Sequence, residues 1–236
     1  MIKTFKICFA VSFFAVTSYG QSAVKKRMFA DTELLIKQYI LNCQKAWDNK
    51  DEKRALTYYD SINSCINNTY LENYRFKTLT GKVIDLGRMN KPVFMTVSAS
   101  WCAPCKAEIP VLNKIAEEYK EKIDFIVLFW DTPEETAKLA LQYSNVINIV
   151  PSPKRYKGDD HEITISGFKH FRGFPASYMI ATDKQIVKYQ EGATPISYID
   201  AEGKEVNIGE KKAFEANYQR LKTCADFLVN HKVSNK

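Results

Sequence analysis

Over residues 31–67 apolar side chains return every three or four positions, first at Leu35, Ile36, Tyr39, Ile40, Cys43 and Trp47, then at Ala55, Tyr58, Tyr59, Ile62 and Ile66. The charged stretch 48–54 separates the two groups, so the spacing predicts two amphipathic helices joined by a polar turn. The period then changes, and residues 76–86 read as a hairpin turning at Thr80-Gly81, with a boundary near residue 73. Residues 93–97 and 123–130 are continuous apolar runs rich in β-branched and aromatic residues, as expected of buried central strands. Each leads into a helical pattern. The first carries Val111, Leu112, Ile115 and Tyr119; the second starts at Thr132-Pro133 with Glu135 placed to close a capping box, and extends to about Tyr143. With a third strand at 146–150, the alternation predicts an α/β architecture of parallel strands and right-handed crossovers. Residues 151–171 have weak periodicity and read as a long loop or insertion. A hairpin is predicted from 177–180 and 185–189, another around Glu202-Gly203, and a closing helix from Phe214, Tyr218, Leu221, Ala225 and Leu228.

Composition narrows the picture. The 236 residues are 45% hydrophobic with only 9 Gly and 8 Pro, which excludes a disordered or collagenous chain and a small disulfide scaffold. Lys3 and Lys6 precede the apolar run 7–16, broken only by Ser12, and small residues stand at Ser18 and Gly20, so residues 1–20 read as a signal peptide cleaved before Gln21. The run is about half the roughly 20 residues that span a bilayer. Cys8 has no lipobox before it. The expectation is a soluble exported protein, periplasmic in location. Its net charge falls from +7 to +5 with loss of the two leader lysines, and no basic block interleaved with aromatics points to nucleic acid. Outside the cytosol disulfides persist, and the five remaining cysteines, Cys43, Cys65, Cys102, Cys105 and Cys224, leave at least one thiol without an intramolecular partner.

Trp101-Cys102-Ala103-Pro104-Cys105 falls where a buried strand ends and a helix begins. A helix N-terminus presents unpaired N–H groups and the positive end of the macrodipole, which stabilise a thiolate in the first turn. Cys102 is so placed. Cys105, three positions on, lies on the same side but deeper, able to attack a mixed disulfide on Cys102. A zinc site would need two further ligands, and Cys43, Cys65, Cys224, His161, His170 and His231 show no second paired spacing, so neither metal nor cofactor is expected. A purely structural disulfide would close too small a ring to contribute much entropy.

These residues resemble the thioredoxin superfamily, specifically its exported TlpA/ResA-like thiol-disulfide oxidoreductases. The resemblance covers about residues 74–229 and rests on Thr80-Gly81-Lys82, the strand 93–99, the segment from Trp101 to Pro110 and Gly173-Phe174-Pro175. It implies a thioredoxin-like domain, 74–236, with a central mixed sheet flanked by helices, preceded by a helical extension, 21–73. It also implies a cis Pro175 facing the cysteines and a backbone at Phe174 that pairs with an extended substrate, with Trp101 and Pro104 beside it. Glu108 matches a buried acid of the ResA-like branch and, beside Cys102 and Cys105, completes the expected catalytic set, relaying a proton to the Cys105 thiolate. Its alternative is an exposed carboxylate favoured by the helix dipole. Pro110 matches a kinking proline. The chain departs from cytosolic thioredoxins in having Thr96 where they bury an Asp, and from the family in the bulk of Phe174. Ala103-Pro104 lacks the His of strongly oxidising relatives, which favours a reducing or intermediate potential.

The implied activity is reduction of disulfides in exported proteins, with a membrane-bound thiol carrier supplying electrons. A peroxidase is a rival, although Ala99 stands where the peroxidatic framework has Thr; a groove-only binding module is another. Cys43 and Cys65 could be bonded, but a turn near Asp51 sets residue 59 opposite Cys43, and six helical residues, about 9 Å, exceed disulfide reach. Cys224 reads as an inert buried thiol, His161 and His170 as surface-loop residues, and Phe168, Phe171 and Phe174 as groove or core. Oligomeric state and the identity of the substrate are not legible.

Overall fold

The computed structural model describes residues 26–154 and 163–231. The expected leader, Cys8, His161 and the rest of 155–162 fall outside the described residues. Helices α1 (Glu33–Asp48) and α2 (Glu52–Ile66) form the expected helical hairpin, with the Asp51 side chain capping α2 by accepting from Arg54 N–H at 3.1 Å. Strands β1 (Arg75–Lys77) and β2 (Val83–Asp85) pair antiparallel, and β3 (Val93–Ser98) then leads into α3 (Ala103–Tyr119). Next come β4 (Asp124–Phe129), α4 (Pro133–Ala140) and β5 (Ile147–Pro151). The Thr132–Glu135 capping box is formed, and α4 stops at Ala140, short of Tyr143.

Within the expected loop, residues 163–170 form secondary structure that the pattern does not predict. Strands β6 (Ile163–Ile165) and β7 (Phe168–His170) make a hairpin whose two-residue turn, Ser166-Gly167, has both residues at positive φ, the geometry that suits right-twisted strands. Strands β8 (Ala176–Ile180) and β9 (Ile186–Glu191), the small hairpin β10 (Ser197–Ile199) and β11 (Glu205–Asn207), and helix α5 (Glu210–Asn230) follow.

Five strands form the central sheet in the order β5-β4-β3-β8-β9. The first three run parallel, joined through α3 and α4, while β8 and β9 are antiparallel, so the sheet is mixed. Side chains alternate across it. Val93, Met95, Val97, Ile126, Leu128 and Tyr178 face Phe29, Ile36, Ile62 and Ile66 of the N-terminal region. Phe94, Phe125, Val127, Phe129 and Met179 face Ile109, Leu112 and Ile115 of α3 and Leu221, Ala225 and Leu228 of α5. Removing each such side chain from water contributes about 1.5–3 kcal/mol, so neither face is stable uncovered.

The change of period near residue 73 is a change of secondary structure, and packing runs across it: the stripe of α1 and α2 shares a core with the sheet. Backbone bonds tie the segment after α2 to β9, with Asn68 N–H donating to Ile186 O at 2.8 Å and Ile186 N–H returning to Thr69 O at 2.7 Å. Cys43 and Cys65 are both buried free thiols, and Cys43 packs with Ala55, Tyr58 and Tyr59 rather than with Cys65.

Candidate active site

The C-terminal end of β3 delivers the chain to α3 at the middle of the sheet. Cys102 is the N-cap of α3, and its Sγ accepts from Cys105 N–H at 3.2 Å. A sulfur here meets a donor already aimed at it. Pro104 sits in the first turn, where a missing N–H costs nothing, and Pro110 lies inside the helix with an exposed ring. Cys102 and Cys105 are joined as a disulfide with Cα atoms 5.2 Å apart.

The expected contrast between an open Cys102 and a deeper Cys105 is not found in this form: they are 4% and 3% exposed. Aromatic side chains are the reason, because Trp130 and Phe174 pack against the cluster of Ala99, Cys102 and Cys105. Trp101 stands edge-on to Phe174 at 5.6 Å and to Trp130 at 6.2 Å, and is itself 56% exposed. The Phe174–Pro175 peptide is cis, Pro175 is buried at the start of β8, and Phe174 is half-buried over the cysteines. The turn after β3, the start of α3 and the loop before β8 thus bring Trp101, Cys102, Cys105 and Phe174 together.

Glu108 is buried one turn below Cys105, as the resemblance implies and not as the exposed alternative would have it. It pairs with Arg220 of α5. Burial raises the Glu108 carboxyl above the ordinary carboxylate range, against the opposing pull of the Arg220 guanidinium. Among the described residues, Ser98 Oγ and Arg220 Nε are the buried side-chain polar atoms without a hydrogen-bond partner, and both belong to this face of the sheet. Thr96, at the place of the acid in cytosolic thioredoxins, bonds Ser177 Oγ at 3.1 Å across the β3/β8 pairing. Cys224 is buried beside this region with its Sγ donating to Gln190 Oε1 at 2.7 Å, and burial pushes its thiol up, in keeping with an inert role.

Several contributors were not found by sequence reasoning. Asp131, read only as part of a capping stretch, is buried and takes Ser100 N–H at 2.6 Å and Ser100 Oγ at 2.7 Å, fixing the backbone two residues before Cys102. Its place just past a parallel strand's C-terminal end, where sites in such sheets gather, was the available signal. Trp130 shares that position. His170, expected on a surface loop, is fully buried. Its Nε2 meets Gly173 O at 3.0 Å and its Nδ1 meets Tyr178 OH at 2.9 Å. Since a carbonyl only accepts, Nε2 carries the proton and the Tyr178 hydroxyl donates to Nδ1. Desolvation lowers the imidazole pKa to about 4, so the ring is neutral at physiological pH. Arg220 lies 112 residues from Glu108 and gave no local signal.

Comparison with known proteins agrees with this geometry. A profile of the Thioredoxin family matches residues 77–172. Thiol-disulfide oxidoreductase ResA of Bacillus cereus is 28% identical over 159 residues, 63% of this chain and 75% of its own length. The chloroplastic F-type thioredoxin of Spinacia oleracea is 36% identical over 81 residues, 34% of this chain and 40% of its own length. Among solved structures, a thio-disulfide isomerase from Thermus thermophilus overlaps 70% of this chain and 96% of its own, at 18% identity and a TM-score of 0.43. The stretch that matches the Thioredoxin family carries the cysteine pair that caps α3 together with strands β3 to β5 of the mixed sheet, and the chain is similar over 159 residues to a thiol-disulfide oxidoreductase.

Proposed function

We propose that the protein reduces disulfides in exported proteins. The observation carrying the exchange chemistry is Cys102 Sγ at the N-cap of α3, within bonding distance of Cys105 and of a backbone N–H. In the reduced enzyme the Cys102 thiolate attacks one sulfur of a partner disulfide. That S–S bond breaks, the departing sulfur takes a proton, and a mixed disulfide remains. Cys105, deprotonated with Glu108 as proton acceptor, then attacks the Cys102 sulfur; the second partner thiol leaves and the enzyme holds its own disulfide. Two electrons have passed to the partner, and a thiol donor on the membrane restores the pair. Phe174 and Pro175, with Trp101 and Pro104, form the surface against which the partner segment lies. The reducing direction is supported by the absence of His between the cysteines, and export by the order of Lys3, Lys6 and the apolar run 7–16. Residues 21–73 serve as a helical extension to the thioredoxin-like unit 74–236.

Turnover of insulin disulfides with a chemical reductant tests the exchange reading. Cys102→Ser falls to background, whereas Cys105→Ser in the native envelope accumulates mixed disulfides that gel electrophoresis without reductant reveals. Wild-type turnover in both variants defeats it.

A further inference from the structure

The loop that presents Phe174 begins at β7 and is held from two sides. His170 grips it from within, through the Gly173 carbonyl and Tyr178. Arg172 grips it from the side. Its guanidinium meets both oxygens of Glu191 at the end of β9, with Nε to Oε2 at 2.8 Å and Nη2 to Oε1 at 2.9 Å. The two side chains are only 12% and 16% exposed. The carboxylate is itself steadied by Tyr189 OH at 2.9 Å. The Cζ of the same guanidinium lies over the ring of Tyr59, 4.4 Å from its centroid. Tyr59 belongs to α2, in the extension that precedes the thioredoxin-like unit.

A paired and stacked guanidinium is directional. The fork fixes its plane against the carboxylate and the ring fixes the side from which it is covered. Phe174, two residues on, makes the edge-on contact with Trp101 and covers the cysteines. We propose that Tyr59 and Arg172 are positioning residues through which the N-terminal helical hairpin sets Phe174, and with it the seat of a polypeptide substrate beside Cys102. The proposal gives the extension a task in substrate selection. It rests on the reading that Cys102 exchanges with a segment lying against Phe174 and Pro175.

The test compares a polypeptide disulfide, insulin, with a small one, hydroxyethyl disulfide, which needs the cysteines but no extended groove. Full-length protein is pre-reduced, and its oxidation is followed by tryptophan fluorescence over a range of disulfide concentrations. Tyr59→Leu, folded by circular dichroism, raises the half-saturating insulin concentration about five- to tenfold with its limiting rate within about twofold, while oxidation by hydroxyethyl disulfide keeps the wild-type rate. Tyr59→Phe keeps the ring and stays within about twofold of wild type throughout. Arg172→Lys, which keeps the charge and loses the fork, follows Tyr59→Leu. Unchanged half-saturation in Tyr59→Leu, or equal impairment of Tyr59→Phe and Tyr59→Leu, overturns the proposal. Failure of the wild-type protein to oxidise with either disulfide instead defeats the exchange reading on which it rests.

Discussion

The two faces of the central sheet bury ionisable groups in opposite ways. On the face covered by the N-terminal helices, His170 is neutral with both ring nitrogens bonded, beside Tyr178, whose ring stands edge-on to the stacked pair Phe29 and Phe168. On the face covered by α3 and α5, Glu108 and Arg220 form an ion pair while Arg220 Nε and Ser98 Oγ find no partner. A fully bonded neutral group resists changing its protonation and holds its surroundings still. An incompletely satisfied pair has a carboxyl whose charge can change, which suits the side of the sheet on which Cys105 loses a proton in the proposed cycle. In the proposed cycle, one face holds the Phe174 loop still and the other handles protons.

Breaking the ion pair gives the largest expected effect. Arg220→Met strands a buried carboxyl and costs about 3–5 kcal/mol in urea unfolding at neutral pH. It also raises the Glu108 carboxyl further, moving the ascending limb of the pH–rate profile for insulin reduction to higher pH. Glu108→Gln removes that limb, and an unchanged profile in both variants breaks the comparison on the α3 face.

His170 gives the next effect, and the sign follows from its lowered pKa. Between the ordinary value of 6.5 and about 4 the unfolded chain binds a proton that the folded chain does not. Acidification through that window therefore removes stability, by about 1.4 kcal/mol per pH unit and on the order of 3 kcal/mol in all. His170→Gln is less stable at neutral pH but loses this part of the slope. Urea midpoints at pH 7 and pH 4.5 for both proteins measure it, and parallel losses would show that His170 titrates freely.

The smallest effect sits where the two faces meet. Trp101 is exposed at the junction, so Trp101→Ala shifts the unfolding midpoint by no more than about 0.5 kcal/mol. It weakens capture of insulin several-fold, because Phe174 loses its edge-on partner; a large stability loss would mean that Trp101 belongs to the core.

Sequence periodicity reached most of the architecture for a physical reason. Strands β3 and β4 are buried on both sides and so are written as unbroken apolar runs, and each helix carries a stripe that one face of the sheet must cover. The short hairpin of β6 and β7 was missed because three-residue strands give no period, leaving only Ser166-Gly167 as a turn signal. Among site residues, Trp101, Cys102, Cys105, Glu108, Phe174 and Pro175 lie in two short contiguous motifs. The residues that restrain them do not: Arg220, Asp131, His170 and Tyr59 act through side chains that only the fold brings near, and each is of a type that is ordinary on a surface. Burial of His170 was invisible because its neighbours Lys169 and Arg172 look like those of a solvated loop.

The strip of chain after α2, where Asn68, Thr69 and Leu71 bond to Ile186 and Lys184, has a protective side. An unpaired margin at β9 would be a template for any extended segment that met it, including those of the proposed polypeptide substrates. With the start of that margin occupied from within, the ladder at Ile186 is closed to an incoming strand.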